Sequence, residues 1–325
     1  MRDSIGLTEA DYKRLKIKQK VGNLLNAKLM KPTYIAKFGR ERTERLCAVR
    51  ADRLRWMDEC NDILSEDFAD FFKSYTFTPP EQPKDDRKRI WVCWLQGEEH
   101  MPDVVKLCIR SLRKNAPGVD VVVLTGKNIG DYADFPDYVY HNLRSGRLTH
   151  FSDLLRMQLL QRYGGLWVDS TVFVSAPIPR EYLDMELYSI QMHGKAERDV
   201  NPYYGGLTSF LLGGSTNCML YDFCYRFFLE YQKKYGHLMD VHPINLCFRM
   251  AYDRFPEMRE AIDAIGVNNT QVYTLFDYTS APYEEAQWKK LTDGQIFHKL
   301  NWRKNYAETV DGKMTMYGYM CSLME

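Results

Sequence analysis

The sequence predicts an α/β fold, with a mostly parallel nucleotide-binding sheet, flanking helices and a helical N-terminal extension. Three observations lead there. Short β-branched and aromatic runs alternate with helical patterns from Arg89 to Asp169, the signature of successive βαβ units. A proline-rich polar stretch, residues 78–86 (TPPEQPKDD), separates this alternation from the N-terminal segment. The formal net charge of +1 conceals an asymmetry: residues 1–56 hold fifteen Lys and Arg against six acids, a balance of +9 that leaves −8 for the remainder.

The expected organisation is a basic helical extension over residues 1–77, a linker over 78–88, and a nucleotide-binding domain over 89–325. In the extension, Leu15, Val21, Leu24, Leu25 and Leu29 form a rough apolar stripe between lysines, and Leu46, Val49, Arg53 and Trp56 continue helical spacing. Two readings fit it: a solvated helical lid, or a basic amphipathic anchor on anionic lipid or an acidic partner. Beyond the linker, residues 89–95 read as a buried strand ending at Gly97. Pro102 opens a helix with Val105, Leu107, Ile109 and Leu112 on its faces, closed by Asn115-Ala116-Pro117-Gly118. Residues 119–124 form a second strand, and a short third is expected at 138–140. Residues 150–163 form a strong helix stopped by Gly164-Gly165, and Leu166-Trp167-Val168 is a strand leading to Asp169. Residues 186–192 and 208–212 read as two more strands, and Asp311-Gly312 as a hairpin turn. Gly213-Gly214-Ser215-Thr216-Asn217 reads as the opening of a helix holding Leu220, Phe223, Phe227, Phe228 and Tyr231, either a phosphate or substrate contact or a plain turn with an Asn or Thr cap.

Composition excludes several classes. With 45% hydrophobic and 27% charged residues the chain is neither disordered, fibrous nor a disulfide-stapled scaffold. Near-neutral charge argues against a general nucleic-acid binder. No apolar run approaches the ~18 residues that span a bilayer, and the N-terminus shows no secretory h-region. The eight cysteines contain no C-x-x-C pair and no zinc spacing. They read as free thiols in a cytoplasmic protein, peripheral to a membrane if the anchor reading holds. Aromatics reach 14%, which suits cores, sugar-stacking sites and interfaces alike.

The most informative stretch is residues 149–174, THFSDLLRMQLLQRYGGLWVDSTVFV. Asp153 and Arg156 lie three apart on one helix face, and Asp153 is expected in the first turn, where the helix dipole favours a carboxylate. Alone, the pair suits a capping acid with a local ion pair. The residues C-terminal to the pair point further: two glycines, a short apolar strand, then Asp169 with hydroxyls. An acid at a strand end can meet a ribose hydroxyl or a metal bridging a pyrophosphate.

The run His150-Phe151-Ser152-Asp153-x-x-Arg156…Tyr163-Gly164-Gly165-Leu166-Trp167-Val168-Asp169-Ser170-Thr171 closely resembles the capsular polysaccharide synthesis family, bacterial glycosyltransferases related to the DXD sugar transferases. The resemblance spans roughly residues 88–302, from Trp91-x-x-Trp94-x-Gln96-Gly97 through Phe210-Leu211-Leu212-Gly213 to Ile296-Phe297-His298-Lys299-Leu300. It implies a GT-A-type fold and retaining transfer of a sugar from a nucleotide-sugar donor to a growing, lipid-linked surface glycan. It further implies that Asp153 and Arg156 hold the donor sugar, and that Asp169 meets the donor and the shell of a Mn or Mg ion. Thr171 stands where DXD relatives carry the second, metal-binding acid. His298 and Trp302 correspond to a late histidine that completes the metal shell and a tryptophan that covers the site, while Trp91 and Gln96 fall where the base is received. Core packing is the competing reading of Trp91 and Trp94, and an ordinary strand histidine that of His298. His298, Lys299, Arg303 and Lys304 offer basic alternatives to a metal at the leaving group. Asn245 replaces a frequent acid, and Asp240 and His242 are either acceptor contacts or a cap before Pro243. Asp169→Asn is expected to leave the fold intact. A glycoside hydrolase would need two acids across a cleft, which this pattern does not suggest. A non-catalytic nucleotide-sugar-binding module remains the alternative, on Thr171 and Asn245.

Overall fold

The structure is a computed structural model that describes residues 35–49, 52–79, 87–145, 148–194, 207–236 and 243–325. The stripe over 15–29, most of the linker, and Asp240 and His242 lie outside the described residues.

Helices α1 (Arg40–Ala48), α2 (Arg53–Asp67) and α3 (Ala69–Ser74) come first. Strand β1 (Arg89–Cys93), helix α4 (Asp103–Asn115) and strand β2 (Asp120–Leu124) form the first βαβ unit. Helices α5 (Asp137–Ser145) and α6 (Leu148–Tyr163) lead into β3 (Gly165–Val168) and β4 (Val172–Val174). Strands β5 (Leu187–Ser189) and β6 (Leu211–Gly214) precede α7 (Met219–Tyr235), α8 (Pro243–Arg254), α9 (Pro256–Ala264), α10 (Thr274–Tyr278) and α11 (Glu285–Thr292). Strand β7 (Phe297–Lys299), the hairpin β8 (Thr309–Val310) and β9 (Lys313–Met314), and α12 (Met316–Ser322) close the chain.

The central sheet runs β2-β1-β3-β6-β5. Its β2-β1-β3 half is parallel, and β6 and β5 join antiparallel, consistent with the α/β architecture expected. A two-stranded antiparallel ribbon, β4-β7, lies beside it. Successive strand side chains point to opposite faces, and two cores result. Trp91, Val122, Leu124, Trp167 and Leu212 face the layer built by α1–α3 and α5–α8. Ile90, Val92, Val123, Leu166, Val168 and Leu211 face α4, the β4-β7 ribbon and α12.

Much of the aromatic content resides in the first layer. Phe68, Phe71, Phe72 and Tyr75 from the N-terminal helices interlock with Phe223, Phe227, Tyr231 and Tyr235 of α7 and with Phe255. A buried polar tie reinforces the contact: Asp222 accepts from Tyr75 Oη at 2.9 Å and from Gln161 Nε2 at 2.9 Å. Helix α6 lies between this layer and the sheet, with residues buried all around its circumference.

Three expectations are corrected. Helix α6 begins at Leu148, so Asp153 lies in its second turn and not its first. Residues 138–140 are not a strand but lie in α5. Val139 and Leu143, four apart, are its buried positions among the described side chains, a helical spacing that a three-residue aromatic window hides. The helix expected after Gly213–Asn217 is present as α7, but it starts at Met219 with Cys218 at its N-cap, and Gly213-Gly214 instead end β6, paired with β3 and β5. A Cβ on Gly214 would fall 2.3 Å from the Glu186 carbonyl oxygen, so these glycines permit close strand packing rather than phosphate binding. The hairpin is as expected, with Asp311 and Gly312 both at positive φ.

Gly165 obeys the same logic more severely. Its φ is +91°, and a Cβ there would lie 2.3 Å from the Arg89 carbonyl oxygen of β1. Gly165→Ala should therefore destabilise the chain by more than ~3 kcal/mol in chemical denaturation. Gly266→Ala, at φ +67° with open space around it, should cost only about 1 kcal/mol.

Candidate active site

The parallel strands β1 and β3 end at one side of the sheet, and the chain there walls a cleft of about 540 Å³. Its floor is an ion cluster. Trp167 and Asp169 are two apart and share a face, so Trp167 Nε1 donates to Asp169 Oδ1 at 3.0 Å. Helix α6 presents Arg156 to both acids: Nη1 donates to Asp153 Oδ1 at 2.6 Å and Nη2 to Asp169 Oδ1 at 3.2 Å. The guanidinium lies 4.8 Å from the Trp167 ring centroid, and its buried Nε has no hydrogen-bond partner. From β7, Lys299 Nζ donates to Asp169 Oδ2 at 2.7 Å.

These contacts set the charge states. Burial pushes the Asp153 carboxyl up to about 6, against the pull of Arg156. Burial also opposes ionisation of Asp169, but Lys299 and Arg156 outweigh it and hold this carboxyl below the ordinary range. Asp169 thus joins three neighbours from three elements. Asp169→Asn would therefore leave the ammonium of Lys299 without its anion.

Asp153, Arg156, Asp169, Thr171, Gln96 and Trp302 all line the cleft. Trp91 does not. It is fully buried on the α6 side of the sheet, donating to the Gly164 carbonyl and packing on Tyr132 and Tyr163. Trp94, just past the end of β1, lines the cleft and meets Trp302 edge-on at 5.9 Å. His298 is also absent from the cleft. It is fully buried against Phe173, with Nε2 2.9 Å from Ser175 Oγ, and burial depresses its pKa to about 4. Strand alternation is the reason: Lys299 faces the acid, so His298 faces the other way. Lys299, one of the basic alternatives named from the sequence, could have been assigned to Asp169 by the same alternation, because a lysine is rarely buried without an acid. Asn245 is buried in α8 and does not line the cleft. Tyr273 and Phe276, which complete the wall, carry no motif in sequence.

The residues expected to hold a metal do not converge on one point. Both Asp169 oxygens already accept from protein donors, Thr171 brings a neutral hydroxyl, and His298 is on the far side of its strand. Among the described residues there is no group of three or more His, Cys, Asp or Glu arranged to hold a metal ion. No described helix is long and apolar enough to cross a membrane.

The family model described as capsular polysaccharide synthesis protein matches residues 48–320, and the chain belongs to that family. An O-glycosyltransferase, braB, of Annulohypoxylon truncatum is 32% identical over 98 residues, covering 27% of this chain and 23% of the relative. The match thus spans about a quarter of each protein.

Asp153 supplies a test of the site's electrostatics. In the fold it keeps its proton up to about pH 6, whereas unfolded it loses it near pH 4. Ionisation between those values therefore costs stability, which falls as pH rises through that window. Asp153→Asn should melt a few degrees above wild type near pH 7.5, and the gap should close toward pH 4. Melting curves across that range check both the sign and the window.

Proposed function

Starting from that family membership, we propose that the chain is a glycosyltransferase that moves a sugar, of hexosyl type, from a nucleotide-sugar donor to a growing surface glycan. The observation that carries this reading is the Asp153–Arg156–Asp169–Lys299 cluster on the floor of a cleft at the carboxyl ends of parallel strands, where α/β sheets receive nucleotides. The braB relative, an O-glycosyltransferase by name, is in line with it.

The residues divide the work by chemistry. Asp153 and Arg156, which both line the cleft, hydrogen-bond the hydroxyls of the donor sugar. Gln96 and Trp94, at the end of β1, receive the base. Arg303 and Trp302, on the rim, meet the diphosphate and close over it. During transfer the bond between the anomeric carbon and the β-phosphate oxygen breaks, and its electron pair stays on that oxygen. The acceptor hydroxyl oxygen forms the new bond to the same carbon. With retained configuration, its proton passes to the departing phosphate on the same face. The cluster stabilises the charge that develops there. The acceptor is a lipid-linked oligosaccharide reached from the cytoplasmic face, and the basic residues 1–56 attract the chain to anionic lipid.

Incubation with a panel of nucleotide sugars, reading binding and nucleotide release, tests the proposal. Wild type should bind one donor class and release its nucleotide when acceptor extract is added. Asp169→Asn should lose turnover by at least ~100-fold, with folding followed by circular dichroism. Binding without turnover under every acceptor condition would point instead to a non-catalytic nucleotide-sugar-binding module. Absence of any nucleotide-sugar binding would overturn the reading.

A further inference from the structure

We infer that Lys299, held by Asp169, supplies the positive charge that a divalent ion supplies in DXD-type sites, so that this chain binds and releases its nucleoside diphosphate without a metal. The inference rests on the transferase reading and specifies how that site handles the leaving group.

The first support is the local architecture. Strand β7 pairs with β4 so that Lys299 lies opposite Val172, three residues beyond Asp169, and the chain after Asp169 turns directly into β4. Lys299 is thereby delivered to the segment Asp169-Ser170-Thr171 by backbone hydrogen bonds, with Leu300 donating to the Thr171 carbonyl at 2.8 Å. Its ammonium lies 2.7 Å from Asp169 Oδ2 and 4.9 Å from the Phe210 ring centroid. Its side chain is 17% exposed, and that exposed part opens on the cleft.

The second support is the donor set. A hard divalent ion takes oxygen ligands, preferably carboxylates. Here the segment offers one carboxylate, and both its oxygens accept from protein cations or an indole N–H. An ion on Asp169 would sit within a few ångströms of both Lys299 and Arg156, where like-charge repulsion is severe in a partly buried cleft. Thr171, in the place of a second acid, removes the negative charge that would offset it. The cluster is balanced as it stands, two carboxylates against two cations. A diphosphate entering it brings fresh negative charge that Lys299 and rim Arg303 can meet. An ammonium has three N–H donors, so one bond to Asp169 leaves two for phosphate oxygens.

In the transfer step Lys299 neither gains nor loses a proton. The electron pair of the broken bond goes to the β-phosphate oxygen, the acceptor proton joins it there, and Lys299 stabilises that oxygen by charge and hydrogen bonding. Asp169 acts through Lys299, as a positioning residue.

The full chain is titrated calorimetrically with UDP, GDP, ADP and CDP, once in EDTA and once in Mn²⁺. At least one diphosphate should bind, with affinities in the two conditions agreeing within about twofold. Donor turnover should survive chelation. Lys299→Ala should weaken that diphosphate by at least ~10-fold, Mn²⁺ should not restore it, and Lys299→Arg should retain part of it. Lys299→Met, which keeps the length of the stem, guards against a folding defect in the alanine variant. Binding or turnover that vanishes in EDTA and returns with Mn²⁺ overturns the inference while leaving the transferase reading standing. So does a Lys299→Ala chain that binds diphosphate as wild type. Failure of every diphosphate in both conditions, together with failure of every nucleotide sugar, removes both.

Discussion

The arrangement depends on the clasp around Asp169. One carboxylate receives an indole N–H from its own strand, a guanidinium from α6 and an ammonium from β7. Sheet, buried helix and C-terminal ribbon are thereby held in one relative position. Charges this buried are costly unless each is paired, so the geometry is self-enforcing: moving any one element leaves a charge without its counterpart. Asp153 completes the balance by taking the other edge of Arg156. The cleft is in effect the space left above this clasp, bounded by the loops after β1 and β7.

A second constraint acts from behind. Helix α6, which carries Asp153 and Arg156, is buried on every side, so neither residue can be displaced without repacking its neighbours. The α7 layer presses on it, and that layer is welded to the N-terminal helices by the interlocked rings around Phe68, Phe72 and Phe227. The aromatic excess that composition alone could not assign is largely accounted for here. It fills a core layer that packs against the outward face of α6, while Trp94, Trp302, Tyr273 and Phe276 line the cleft.

Legibility in the sequence depends on the range of the interactions. The helix over 150–163, the glycine pair and the strand ending at Asp169 are readable because each is encoded within one turn or one alternation. Asp153, Arg156 and Asp169 meet as their spacing suggests. Residues 138–140 mislead because three residues cannot separate a period of 2 from one of 3.6, and only Leu143 breaks the tie. Trp91 and His298 mislead for another reason. Motif position specifies which strand a residue occupies but not which face it takes, and both point into the core. The partner of Asp169 is 130 positions away in sequence. No local pattern announces a contact at that separation, although an alternation argument in Phe297-His298-Lys299 would have turned the lysine toward the acid.

That separation also orders events during synthesis. Asp153, Arg156 and Asp169 can assemble as soon as α6 and β3 have formed, but the contact from Lys299 must wait until β7 has been made and has paired with β4. Non-local pairings of this kind form late, because the loop entropy has to be overcome first. A nascent chain that has reached α7 therefore already has its sheet and its acids, while Asp169 has an uncovered oxygen. The cleft becomes electrostatically complete only with the last tenth of the polypeptide. The C-terminal ribbon is thus the timing element of maturation, and a partly made chain exposes an acidic site rather than a balanced one.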